Sequence, residues 1–303
     1  MNNINQFAVS LMIIFIGYIC KRFGLITEKD GAVLSNTVLN ITLPALIIQT
    51  ISNVNIDPSL ATLPVISLSY GIFIAFLAVY LFRKHDLGQR GELTMLAPGF
   101  NIGLFAYPFV ETLWGHNALK YLAMFDIGNS FLVFVICNVL ASLYSNSKNT
   151  FTLKDSLMKS FKSIPLIAYL LALAMNLAGL HLPNIILNVS SVISKANTPL
   201  SLLTLGVFFS FSFKQGYFKS ILKVSAIRYV PGIALGLLLY NVLPFDPLLR
   251  IVLMACLILP PGLVVIPYSI KYNYDARFVG TYVNIANVVS FLLMCLISFI
   301  PIK

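Results

Sequence analysis

Runs of about twenty apolar residues recur along this chain with almost no charge inside them, and that pattern constrains the fold more than any motif. Only 10% of the 303 residues are Asp, Glu, Lys or Arg, while 58% are hydrophobic. An ordinary soluble domain carries about 25% charged residues. A water-facing surface cannot be covered with so few charges, which excludes one large soluble core. Inside a bilayer each backbone N–H and C=O has to be satisfied within the protein, so the runs must be helices. The pattern predicts an all-α polytopic membrane protein with ten transmembrane helices, at roughly 4–20, 31–51, 60–82, 93–114, 119–143, 164–180, 194–213, 222–243, 249–270 and 277–300. The segment 183–193 reads as an interfacial lead-in to the seventh span. The opening "MNNINQ" has no positive charge and no small-residue cleavage site follows it, so the first run is expected to be retained rather than cleaved as a signal.

Charge sorts by side. Loops after odd-numbered spans, with Arg228 just inside the eighth span, hold sixteen Lys and Arg; the other side holds four, Lys120, Lys195, Arg250 and Lys303. The positive-inside rule then puts the basic loops in the cytoplasm and both termini outside, in a multi-pass protein of the plasma or inner membrane. The formal net charge of +10 is thereby explained by topology, with no nucleic-acid partner needed. Cys20, Cys137, Cys256 and Cys295 show no CxxC pairing, and His85, His116 and His181 fall in predicted loops. No disulfide framework, metal site or cofactor is expected.

Five spans precede the basic loop 144–163 and five follow it. An odd number per half inverts the second half in the membrane, so residues 1–143 and 164–303 read as two inverted five-helix repeats. The fourth span of each half is interrupted: Pro98-Gly99, then Tyr107-Pro108, in one, and Pro260-Pro261-Gly262, then Pro267-Tyr268, in the other. In the fifth and tenth spans "DIGNS" matches "NIANV", pairing Asp126 with Asn284 and Asn129 with Asn287.

Proline and glycine break helices, and a broken span leaves backbone groups that are tolerated only when buried in protein or lining a watered cavity. Two breaks from opposite halves are expected to cross near the midplane and bind a ligand there. Gly99, Asn101, Tyr107, Pro108, Pro260, Pro261, Gly262 and Val264 are the candidate substrate-binding residues. No Lys or Arg is expected deep within a span, so an anion would be held by helix ends and neutral amides. Asp126 is the only carboxylate well inside a span. With Asn129, Asn284, Asn287 and Asn40 it forms the candidate set for coupling to a proton or sodium. Glu111 reads as interfacial.

The stretches "NTVLNITLPALIIQTIS", "GFNIGLFAYPFVETLWG" and "ILPPGLVVIPYSIKYNYD", with the tenth span after them, resemble the auxin efflux carrier family, and the resemblance runs over essentially the whole chain. It implies a scaffold of spans 1, 2, 6 and 7 that forms a homodimer. It also implies a mobile transport unit of spans 3–5 and 8–10 moving as an elevator, with Asn101 as the crossover asparagine and Pro260 to Gly262 as the second break. Family members carry organic anions, such as auxin-like weak acids or malate- and malonate-type carboxylates. Where the family often has proline directly before that asparagine, this chain has Phe100. The short loop 144–163 fits a small bacterial-type carrier.

The expected function is therefore secondary active or facilitative transport of a small organic anion by alternating access. A sodium- or proton-coupled symporter or antiporter of the bile-acid-symporter type is the alternative. A channel fits less well, lacking a filter-like repeat. No GxxxxGK[ST] loop is present for ATP, and no HExxH, GxSxG or paired in-span carboxylates suggest an enzyme.

Overall fold

The computed structural model describes residues 3–52, 54, 58–145, 154, 158, 162–180, 182–210 and 215–301. Most of the basic loop 144–163, with Lys148 and Lys159, lies outside them, as do His181, Lys214 and Lys303.

Helices α1 (Asn3–Arg22), α2 (Glu28–Thr37), α3 (Leu43–Ile51) and α4 (Pro58–Leu81) cover the first three apolar runs. A π-helical turn, Val38–Thr42, joins α2 to α3. The fourth run is α5 (Leu87–Met95), an irregular stretch, a π turn at Ile102–Ala106, and α6 (Tyr107–Trp114). The fifth is α7 (Leu119–Phe131), a π turn at Leu132–Ile136, and α8 (Cys137–Leu143). In the second half α9 (Ile164–Leu177), α10 (Asn184–Ser194), α11 (Asn197–Phe208) and α12 (Phe218–Val242) are followed by α13 (Pro247–Cys256), α14 (Val265–Lys271) and α15 (Ala276–Ile297). The expected lead-in 183–193 is thus a helix of its own, α10.

Local chemistry sets the helix starts. Thr27 and Asp30 form a reciprocal capping box at α2. Asp246 accepts from Leu248 N ahead of Pro247 at α13, and Asp275 accepts from Arg277 N and Phe278 N at α15. Among the described residues, five helical stretches are long and apolar enough to cross a membrane: Glu28–Ile51, Ser59–Leu81, His116–Leu143, Phe218–Val242 and Ala276–Ile297. α5 and α13 are too short to do so because each stops at a break. Large apolar side chains point outward, Met12, Phe76, Val230 and Leu296 among them, as a lipid-facing surface requires.

Packing divides the helices into two sets. In one, α1 and α2 lie on α11, and α3 lies on α9 and α10. In the other, α4 packs on α7 and α12, α5 on α8, α13 on α7 and α12, and α14 on α15. The sets meet where α11 crosses Ile102–Ala106 and α6, and where α3 and α9 touch α7.

Candidate functional site

Residues 96–101 and 257–264 are non-helical, and the two stretches touch. Asn101 N donates to Pro260 O at 2.8 Å. Gly99 has φ +74°, a conformation L side chains rarely adopt, and a Cβ there would also press on Cys137 Sγ and Val133. The breaks expected from Pro98-Gly99 and Pro260-Pro261-Gly262 therefore exist, and they meet through the bond from Asn101 N to Pro260 O.

Every carbonyl of the first break has a donor. Leu96 O, Ala97 O and Gly99 O accept from Arg228, Pro98 O from Cys137 Sγ, Phe100 O from Asn129 Nδ2, and Asn101 O from Ala106 N. In the second break Ile258 O accepts from Ser290 Oγ, Leu259 O from Arg228 Nε, Pro260 O from Asn101 N, and Gly262 O from Val265 N. Donors are another matter. Asn101 is 5% exposed and its Nδ2 has no partner. Among the described residues the N–H groups of Gly262, Leu263 and Val264 make no hydrogen bond. The acceptors of the first break are filled, whereas in the second, among the described residues, Leu257 O and Pro261 O have no donor. The open donors, buried at Asn101 Nδ2 and Gly262 and half-buried at Leu263 and Val264, can receive a ligand's acceptors, such as those of a carboxylate.

Arg228 corrects the expectation that no cation lies deep. It projects from α12, is 1% exposed, and places its guanidinium between the two breaks. Its Cζ lies 4.7 Å from the centre of the Phe100 ring, which also stacks on Tyr70. One turn on, Gly232 lets α12 approach: a Cβ there would strike Leu257 O. By its place in the sequence Arg228 groups with the cytoplasmic charges; its position in an apolar run, four residues before Gly232, is the signal that it lies inside.

Asp126 and Asn129 lie beside the first break. Asn129 Nδ2 is 2.9 Å from Asp126 Oδ1, and Asp126 Oδ2 accepts from Tyr169 Oη at 2.6 Å. The Tyr107 hydroxyl, 2.6 Å from that of Tyr169, completes the chain. Tyr169, on α9, was not singled out in the sequence. Tyr107 is thus spent on this chain, and Pro108 follows it at the start of α6, beyond the π turn, so neither lies at the crossing. Val264 closes the second break, half-buried.

Asn284 and Asn287, expected to pair with Asp126 and Asn129, sit differently. Asn284 donates to Ser210, and Asn287 borders a cavity of about 460 Å³ walled mainly by apolar groups such as Phe15, Phe105, Phe109 and Phe291, its Oδ1 unpartnered. Ser290, not Asn287, anchors the second break. Asn40 is exposed on the π turn between α2 and α3, apart from Asp126. Glu111, expected at the interface, accepts from Thr198 Oγ1 at 2.5 Å, lies 3.4 Å from His116 Nδ1, and lines a polar cavity of about 280 Å³ with Gln49 and Lys195.

A model of the membrane transport protein family matches residues 4–298. The chain is 26% identical over 300 residues to an uncharacterised transporter of Methanocaldococcus jannaschii, covering 95% of each chain. It is 25% identical over 284 residues to an uncharacterised transporter of Methanothermobacter thermautotrophicus, covering 92% of each. Both likenesses span nearly the full length, so they take in both breaks and the helix that carries Arg228.

Proposed function

We propose, from the premise that this chain belongs to the membrane transport protein family, that it carries a small organic anion across a cell membrane by alternating access, with the helix crossing as its binding site. The observation that carries this reading is the set of open donors where the breaks meet, Asn101 Nδ2 and the N–H groups of Gly262 to Val264, beside a buried guanidinium and a first break whose own acceptors are all filled. The substrate class is a small carboxylate, of the auxin-like or malate and malonate type. Gly99, Asn101, Pro260, Pro261 and Gly262 shape the site.

The ten spans are two inverted repeats. Spans 1, 2, 6 and 7 serve as a dimerising scaffold, and spans 3–5 and 8–10 move against it as an elevator. The division of packing into two helix sets supports this partition. The basic loops face the cytoplasm and both termini face outward.

One observation favours a coupled form of the same cycle. Asp126 reaches the first break through Asn129, so loading it with a proton or sodium would be felt at Phe100. The test is uptake by the purified protein in liposomes of labelled indole-3-acetate, malate and malonate, with sodium, proton and voltage gradients imposed singly. Accumulation of one carboxylate, lost in Asn101→Ala, supports the reading. Carboxylate uptake that Asn101→Ala leaves unchanged overturns the site assignment.

A further inference from the structure

A guanidinium has five N–H donors and a charge it does not lose in proteins. At the crossing all four of its recorded hydrogen bonds go to neutral carbonyls: Leu259 O at 2.8 Å, Leu96 O at 3.2 Å, Ala97 O at 2.7 Å and Gly99 O at 2.6 Å. Among the described residues the ion pairs are Lys21–Glu28 and His116–Glu111, so no carboxylate lies within 4 Å of Arg228. A buried cation without a counter-ion is costly. If the carbonyls needed only donors, neutral groups would serve, as Asn129, Ser290 and Cys137 do at the same crossing. The charge therefore has a use that the carbonyls do not account for.

We propose that Arg228 is the positioning residue that makes the crossing select anions: it ties both breaks together and leaves its unneutralised positive charge behind the open donors of Asn101 and Gly262. The inference rests on the reading of the crossing as the substrate site. Gly99, whose carbonyl Arg228 holds, is two residues from Asn101, and a Cβ on Gly262 would lie 3.5 Å from Phe100 O, so charge and donors share one locus. Arg228 is enclosed and does not touch the ligand; it acts through field and through the backbone it fixes. A neutral ligand of the same shape gains nothing from that field, whereas a carboxylate does.

The experiment compares liposome uptake of indole-3-acetate with its uncharged isostere indole-3-acetamide, and of malate with malamide. It uses wild type, Arg228→Gln, Arg228→Lys and Asn101→Ala, each checked for a monodisperse profile. Wild type is expected to prefer the carboxylates. Arg228→Gln, which loses the charge and keeps only two of the N–H donors, should slow uptake of both probes but raise the KM for the carboxylate about ten-fold more than that for the amide. Arg228→Lys should lower the maximal rate yet keep the preference, a split that mere loss of structure would not give. A folded Arg228→Gln with the wild-type preference overturns the inference. If Arg228→Gln does not fold, a folded Arg228→Lys that has lost the preference does so instead. Should Asn101→Ala leave carboxylate uptake unchanged, the site reading fails whatever Arg228 does. Wild type that moves none of the probes overturns both.

Discussion

The side-chain amide of Asn129 grips both backbone polar groups of Phe100: Phe100 N donates to Asn129 Oδ1 at 2.8 Å, and Asn129 Nδ2 donates to Phe100 O at 3.1 Å. One amide thus replaces the helix ladder at the residue before Asn101, and its second N–H reaches Asp126. The break is held open by a side chain that matches a peptide unit donor for acceptor.

Asn129→Asp keeps the size and acceptor but removes the donors to Asp126 Oδ1 and to Phe100 O, the latter keeping only Ile102 N. Each unmatched buried group costs about 1–3 kcal/mol. A clear fall in the thermal midpoint in detergent is expected, together with loss of uptake; a midpoint equal to wild type would mean that the clamp carries no weight.

Asn101→Ala should behave in the opposite way for stability. The Nδ2 of Asn101 has no partner, so removing it deletes a donor that folding leaves unsatisfied. The thermal midpoint should hold or rise while carboxylate uptake disappears, which is the pattern of a residue kept for a ligand.

Tyr169→Phe deletes the hydroxyl between Asp126 and Tyr107. Because Tyr169 belongs to α9 and Asp126 to α7, this bond joins the two helix sets. A loss of about 1–3 kcal/mol in stability is expected. If Asp126 couples transport to an ion, the dependence of uptake on pH or sodium shifts as well, read by repeating the uptake across a pH series.

Gly232→Ala and Gly280→Ala should move stability in opposite directions. A Cβ at 232 meets the backbone oxygen of Leu257, which is fixed by the second break, and the strain should cost about 1–3 kcal/mol. At 280 a Cβ meets nothing within 4 Å, and alanine in that helix should add about 0.5–1 kcal/mol. Melting curves of the two variants side by side decide it.

Glu92 lies one residue ahead of the expected fourth span and accepts from Asp275 N at 2.6 Å. Burial raises its carboxyl above the ordinary value of 4.5, the Asp275 N–H opposes this, and the Asp275 carboxylate adds to the rise. With the folded value above the unfolded one, the group stabilises the fold at pH below 4.5 and loses that contribution as pH climbs through the folded value. Glu92→Gln retains an acceptor for Asp275 N and should flatten the decline of the thermal midpoint between acid and neutral pH.

The apolar runs, the two breaks and the place of Asn101 were readable from residue order, because hydropathy, proline and glycine act within a few positions of themselves. Glycine at 99 and prolines at 260 and 261 dictate where helices stop, whatever surrounds them. Arg228 was not readable in this way. Three of its four partners are backbone carbonyls more than 100 residues away along the chain and the fourth is 31 away, and every residue carries a carbonyl, so the sequence does not mark which four will be left without a helix donor. The match of Asn129 to Asn287 misled for a related reason. An amide clamps a break only where the facing residue offers an N–H; Phe100 does, while Pro260 and Pro261 cannot, so Ser290 holds the second break by donating to Ile258 O. Composition and local helix chemistry determined on their own that this chain inserts in a bilayer as helices and where two of them fail. Tertiary structure decided which side chains fill the exposed acceptors and which donors stay open, because that depends on which segments the packing brings face to face.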